Sequence, residues 1–179
     1  MNTPKFLGMS KREYLQEMCN RFGDFKVAYA FKNKEDVIIW SKHHSVLKCW
    51  QSDEGLKFLD KVNNRTAFET EVRIDLDPKK GWTKPQIKWN MEKICSELKE
   101  LDIHNFKVFH SGSRSYHLHC RFNQLALEHN KNELKSFLID YLGTDLSKAS
   151  DNTMLTLEWA KNNKTGKLKL PVVGNFNGF

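Results

Sequence analysis

The sequence predicts an α+β protein in which helices cover a mixed β-sheet, and three observations predict it. Residues 66–78, TAFETEVRIDLDP, place Val72, Ile74 and Leu76 on one face and Glu71, Arg73, Asp75 and Asp77 on the other, which is the period of a strand. Behind them Ile87, Met91, Ile94, Cys95, Leu98 and Leu101 form one apolar stripe, the period of a helix. The chain order of strand, helix, strand, helix and strand pair then calls for two packed layers.

Taken from the start, Ser10 and Glu13 make a capping box ahead of Leu15, Met18, Cys19 and Phe22, and Gly23 stops that helix. KVAYAF from Lys26 and DVIIW from Asp36 flank the turn former KNKE and read as a hairpin. Between Ser41 and Arg65 the pattern is mixed, with Leu56, Leu59 and Val62 indicating one helix. Pro78 and KKGW end the alternating strand, and Pro85 suits the first turn of the long helix. FKVFHSGSRSYHLHCRF gives two strands joined by a Ser/Gly turn. Leu134, Phe137, Leu138, Tyr141 and Leu142 give a helix closed by Gly143, and MLTLEWAKNNKTGKLKLPVV gives a hairpin turning at NNKTG.

With 179 residues, 39% of them hydrophobic, the chain suffices for one well-buried core, and a single domain over 1–179 is expected. Its 29 Lys+Arg against 22 Asp+Glu give +7, a charge that suits an acidic partner such as nucleic acid or nucleotide phosphate. Cys19, Cys49, Cys95 and Cys120 lie far apart with no metal-ligand spacing, so free core thiols in a reducing compartment are expected. No signal-peptide pattern and no apolar run of about 18 residues occurs. The expectation is a soluble intracellular protein, cytoplasmic or nucleoid-associated, or nuclear in a eukaryote.

Two segments carry chemistry. Asp75 and Asp77, at i and i+2 of one strand, project to the same side about 7 Å apart and can converge on hard divalent cations. In SGSRSYHLH, residues 111–119, a Ser-Gly-Ser turn would expose backbone N–H groups, Arg114 offers a guanidinium fork, and His117 shares a strand face with His119 and Arg121. One strand and one helix separate the two segments. Jointly they describe a metal edge beside a polyphosphate cradle.

IDLDP resembles the first motif of the archaeo-eukaryotic primases, and SGSRSYHLH is similar to their second, S-G-x-[RK]-G-x-H. The resemblance implies that Asp75 and Asp77 ligate Mg²⁺ or Mn²⁺ and that Ser111, Arg114 and His117 hold the triphosphate of an incoming nucleotide. It also implies an N-terminal α/β half over 1–70 and an RRM-like half with the motifs over 71–179. LEWAKNNKTGKLKLP resembles the D-[WY]-L-x-N stretch of end-joining polymerases. That puts the third catalytic and metal-binding carboxylate at Glu158, with Asp151 and Asp145 as competitors and Lys164 and Lys167 near phosphates. Two features depart from the pattern: Ser115 replaces the usual glycine, and the zinc-binding module of many primase small subunits is missing.

The activity so implied is a DNA primase or primase-polymerase working on single-stranded DNA with (deoxy)ribonucleoside triphosphates. A helicase or other replication proteins are its further partners, and no membrane is. Protonated His117 would bind phosphate best. Three other readings compete. His117-Leu118-His119 is also the His-hydrophobic-His pattern of rolling-circle nickases, although Tyr141 is followed at the third position by Thr144 and Tyr14 by Glu17. An RNA-recognition-like open sheet would have to place Glu71, Asp75 and Asp77 against nucleic acid. An inactive primase-like domain would bind single strands without catalysis.

Overall fold

The computed structural model describes residues 8–122, 131–143 and 153–174. Ser10 opens α1 (Lys11–Phe22) as its spacing predicts: its hydroxyl accepts from the Glu13 N–H at 3.2 Å, and the Glu13 carboxylate accepts from the Ser10 N–H. KVAYAF, expected as one strand, breaks at Tyr29 into β1 (Lys26–Ala28) and β2 (Ala30–Lys32). The break lets one run serve two sheets. β2 forms the expected hairpin with β3 (Ile38–Trp40), and Asn33 builds its turn by accepting from the Glu35 and Val37 N–H groups. The mixed stretch resolves into β4 (His44–Ser45), α2 (Val46–Cys49), α3 (Asp53–Lys61) and β5 (Asn64–Arg65).

The second half runs β6 (Glu71–Leu76), α4 (Lys84–Glu100), β7 (Phe106–His110), β8 (Tyr116–Arg121), α5 (Lys131–Tyr141), β9 (Leu155–Thr156) and β10 (Leu170–Gly174). Its sheet has the order β10-β7-β8-β6, so β8 inserts between the two strands that α4 connects. That is a split β-α-β unit. The first half has the order β4-β1-β5-β9, with β9 contributed from late in the chain. The α+β class holds. Where a mixed sheet was expected, every described pairing is antiparallel.

The apolar residues gather in two clusters where one core was expected. Leu15, Met18, Val27, Leu59 and Phe68 anchor the first, which Leu157 and Ala160 complete from across the 70/71 boundary. The apolar face of β6 and β8 meets α4 and α5 in the second, through Ile74, Leu118, Ile94, Leu98, Leu138 and Ile139. On α5 the predicted stripe is partly displaced: Leu138 and Leu142 are buried, while Phe137 and Tyr141 stack on each other in solvent. The four cysteines are buried and free. Among the described residues no helix is long and apolar enough to cross a membrane.

The opposite face of β6 and β8 is polar in sequence yet buried in the fold. Glu71, Arg73, His119 and Arg121 are each less than a tenth exposed, because the first half covers this face. Each half therefore keeps its own apolar core, and charged groups meet at the seam between them.

Candidate functional site

The pairing of β6 with β8 sets Asp75 directly across from His117, and the His117 Nε2 lies 3.8 Å from the Asp75 Oδ1. Asp77, just past the end of β6, is exposed. The β7–β8 turn brings Ser111 and Arg114 to the same place. All five residues line one cleft of about 630 Å³, which Lys164, Asn162, Asn163, Asn64, Thr156, Ile38 and Trp40 also line. Register between two strands thus assembles what the sequence separates by some forty residues.

The turn is built differently from the expected nest of open N–H groups. The Ser111 N–H donates to the Ser115 carbonyl at 3.0 Å, that of Gly112 to His110 Nδ1 at 3.2 Å, and that of Ser113 to the Ser111 hydroxyl at 3.2 Å. These three donors are engaged within the turn, so side chains carry the anion-binding capacity. Ser115, at the position of the family glycine, uses its hydroxyl to close the turn by donating to Ser111 Oγ at 3.0 Å.

A second loop clamps the first. The turn expected at NNKTG is present, with Gly166 at φ 69°, its N–H on the Asn162 carbonyl and one bridge between Lys161 and Leu168, but the flanking strands β9 and β10 join different sheets and do not pair as the expected hairpin. From this loop Asn162 Nδ2 donates to the Ser111 carbonyl at 3.0 Å and Thr165 Oγ1 to the Gly112 carbonyl at 2.5 Å. Gly112 has φ 82°, and a Cβ there would lie 2.5 Å from the Lys167 carbonyl oxygen. Gly112→Ala is therefore expected to lose about 2–3 kcal/mol, from left-handed strain and the clash together, in chemical denaturation. A loss below about 0.5 kcal/mol would mean the two loops are not held together as described.

Arg114 is exposed at the cleft, and its Nη2 donates to the Trp82 carbonyl at 2.9 Å, which ties the turn to the loop after β6. Lys164 lines the cleft, whereas Lys167 is not among its lining residues. His117 departs from the protonated state expected for it. Burial, reinforced by Lys169, Arg73 and His119, pushes it well below the usual histidine range, and its Nδ1 has no hydrogen-bond partner among the described residues. It therefore stands at the cleft wall as a neutral imidazole.

Glu158, expected as the third catalytic carboxylate, does not line the cleft. Its Oε1 and Oε2 accept from Arg65 at 2.9 and 3.0 Å, Tyr14 adds a hydrogen bond at 2.9 Å, and His119 Nδ1 stands at 3.2 Å. Arg65 also bonds both oxygens of Glu71, at 2.6 and 2.9 Å. Burial alone would raise both carboxyls, but the Arg65 charge reverses this and holds them well below the usual range. The correction has a simple cause: a neighbouring buried guanidinium takes Glu158 as its counter-ion. Asp145 and Asp151 lie outside the described residues. Arg65 sits in a two-residue strand, too short for any periodicity to mark it, and its burial is decided only by the tertiary packing.

Lys169 donates to His119 Nε2 at 3.0 Å and to the Thr156 carbonyl at 2.7 Å, and His119 Nδ1 lies 3.1 Å from Glu71. The network assigns His119 the neutral Nδ1–H form, in keeping with the way burial and Lys169 depress its pKa. With both ring nitrogens engaged it is no metal ligand. Tyr141 sits on α5, which packs on the far face of the sheet, and Tyr14 is buried against Glu158. The nickase constellation is therefore not assembled among the described residues, and the covered polar face excludes an open RNA-recognition platform.

An acid-stability prediction follows. Below pH 6.5 the unfolded chain protonates His117 and His119 and the folded one protonates neither, so each lowers stability by up to about 1.4 kcal/mol per pH unit. A further loss sets in below about pH 4.5 as the unfolded carboxylates bind protons that folded Glu71 and Glu158 resist. Urea titrations at pH 7.5 and 5.5 measure the first step. His119→Gln should remove about half of it, leaving the His117 contribution, and an unchanged slope in that variant would rule out the His119 assignment.

No protein-family model matches the chain, and no curated protein does either. Solved structures match across nearly its whole length. The archaeo-eukaryotic primase domain of the cyanophage S-2L primase-polymerase aligns over 92% of this chain and 90% of its own, with a TM-score of 0.53 at 13% identity. The polymerase domain of Mycobacterium tuberculosis ligase D, solved in complex with DNA, aligns over 97% and 85%, with a TM-score of 0.61 at 13% identity. The chain has the archaeo-eukaryotic primase fold. A third neighbour, the primase RepB′, gives a TM-score of 0.55 at 11% identity, the alignment covering 92% of this chain and 56% of that one. Within the primase fold, the cleft between the two halves is where the sequence motifs converge.

Proposed function

We propose that the chain is a metal-dependent, template-directed nucleotidyltransferase, a DNA primase or primase-polymerase that makes or extends primers on single-stranded DNA. One observation carries this reading: Asp75, Asp77, Ser111, Arg114 and His117 line a single cleft. The relatives of this fold named above, a primase-polymerase, a ligase polymerase domain and a primase, support it.

Among the described residues no three His, Cys, Asp or Glu side chains cluster closely enough to hold an ion by themselves. Mg²⁺ is commonly bound by one or two carboxylates together with substrate phosphates and water, so the Asp75–Asp77 pair fits such an ion, or Mn²⁺, delivered with a nucleotide. When bound, that ion supplies charge neutralisation at the triphosphate and a more acidic attacking hydroxyl. The chain's own part is to position. Arg114 and Lys164 offer charge to the β- and γ-phosphates, and neutral His117 offers one hydrogen bond with no ordering cost because packing already fixes its ring. Asn162 and Thr165 hold the turn from behind. Exposed Trp40 presents an indole at the cleft wall on which a base can stack.

The test is incorporation of labelled nucleotides on a single-stranded template, with and without an annealed primer, in Mg²⁺ or Mn²⁺. Template-directed product supports the proposal, and the lane without primer distinguishes priming from extension. Binding without product in any lane would leave an inactive primase-like module instead. Arg114→Ala should raise the nucleotide KM about tenfold and spare template affinity. The reverse pattern would remove Arg114 from the phosphate site.

A further inference from the structure

Between Asp77 and Glu92 the sequence PKKGWTKPQIKWNM contains four lysines and no acidic residue. Lys79, Lys80, Lys84 and Lys88 are all exposed, on the loop that leaves the cleft and on the first turns of α4. The Trp82 N–H donates to the Lys79 carbonyl, Gly81 takes φ 88°, and Lys79 Nζ lies 5.8 Å from the Trp82 ring centroid. This loop joins the cleft at both ends: Pro78 lines it, and Arg114 is bonded to the Trp82 carbonyl.

The placement contradicts local helix chemistry. A helix N-terminus carries partial positive charge and favours Asp or Glu in its first turn, yet α4 begins with Lys84 and has no acidic residue there. Such a conflict between local preference and sequence marks a surface shaped by something other than stability. The one described ion pair of these lysines, Lys88 with Glu92 at 3.7 Å, is solvent-exposed on both sides and weak.

We infer that Lys79, Lys80, Trp82, Lys84 and Lys88 form a binding strip for single-stranded DNA that leads into or out of the cleft. Lysines track the backbone phosphates, and the indole of Trp82 receives an unpaired base. This rests on the nucleotidyltransferase reading for its choice of DNA, while its own measurement is independent of catalysis.

The experiment is fluorescence-anisotropy binding of a labelled single-stranded oligonucleotide at 50–200 mM salt. It compares the intact chain with Lys79→Gln/Lys80→Gln/Lys84→Gln/Lys88→Gln, with Trp82→Ala, and with a charge-matched control at Lys48, Lys57, Lys61 and Lys99. Each lysine–phosphate pairing removed lowers the salt slope by about 0.7, so the strip variant should fall by about 2–3 in slope and at least about tenfold in affinity. Trp82→Ala should cost about tenfold, and the control variant should bind like the intact chain. Thermal melting of the strip variant should be unchanged or raised, because its lysines oppose the α4 dipole. Equal losses in strip and control variants would overturn the proposal in favour of general charge attraction. Tighter, strip-dependent binding of single-stranded RNA or of duplex would overturn the choice of occupant. Unaltered strip-variant binding alongside normal nucleotide incorporation would remove the strip and leave the cleft assignment standing.

Discussion

Replacing Asp75 and Asp77 with asparagine is expected to reduce nucleotide incorporation by about 10³-fold or more and leave the protein folded. Asparagine keeps the shape of each side chain and deletes its charge, so a hard cation loses its anionic ligands while packing is retained. The carboxylates described on Arg65 are those of Glu71 and Glu158, and Asp77 is exposed. The stability change should stay within about 1 kcal/mol. Affinity for single-stranded DNA should hold as well, because the proposed strip lies outside this pair. Two measurements on the same sample check the expectation: primer extension in Mg²⁺ and Mn²⁺, and a urea unfolding curve. Extension surviving in both single variants would eliminate the proposed site, whereas loss of both activity and fold would make the aspartates structural.

Arg65→Met is expected to be strongly destabilising, at about 3–5 kcal/mol. Arg65 is 1% exposed and is the shared partner of Glu71 and Glu158, and its guanidinium lies 3.9 Å from the Phe68 ring centroid. Removing it leaves two buried carboxylates facing each other without their main counter-ion. Against a total stability of about 5–15 kcal/mol, that loss takes most of the margin at the low end of the range and about a fifth to a third of it at the high end. Arg65→Met/Glu71→Gln should recover part of the loss, since one orphaned charge is then gone. A single-variant loss below about 1 kcal/mol would show that Lys169, His119 and Arg73 satisfy the carboxylates without Arg65. Arg73, which burial and Arg65 bring down to about 10, would hold its charge more readily once Arg65 is gone and is one of the groups through which such compensation would act.

The local elements were legible wherever one residue signal dominated. The Ser10–Glu13 box, the α4 stripe and the Asn162–Gly166 turn each rest on interactions within a few residues, and each appears as read. Tertiary competition decided the places where reading and structure differ. KVAYAF divides because two sheets draw on it, and Phe137 and Tyr141 face solvent because α5 rotates Leu138 and Leu142 onto the sheet. Glu158 follows the same rule: its motif spacing suggested a metal ligand, but spacing says nothing about a guanidinium arriving from residue 65.

By itself, the sequence determined the α+β class, the strand that bears Asp75 with Asp77 just beyond its end, the glycine turn that bears Ser111 and Arg114, and the basic loop between Asp77 and α4. These depend on side-chain periodicity and backbone freedom, which are local quantities. Only the tertiary structure decided that β8 inserts beside β6 and so sets His117 against Asp75. It also decided that the polar face of that sheet is sealed by Arg65, and that Lys169 and burial keep His119 neutral. Charge state and ligand geometry depend on which distant groups come within a few ångströms, and in this chain those groups are separated by between 6 and 144 residues.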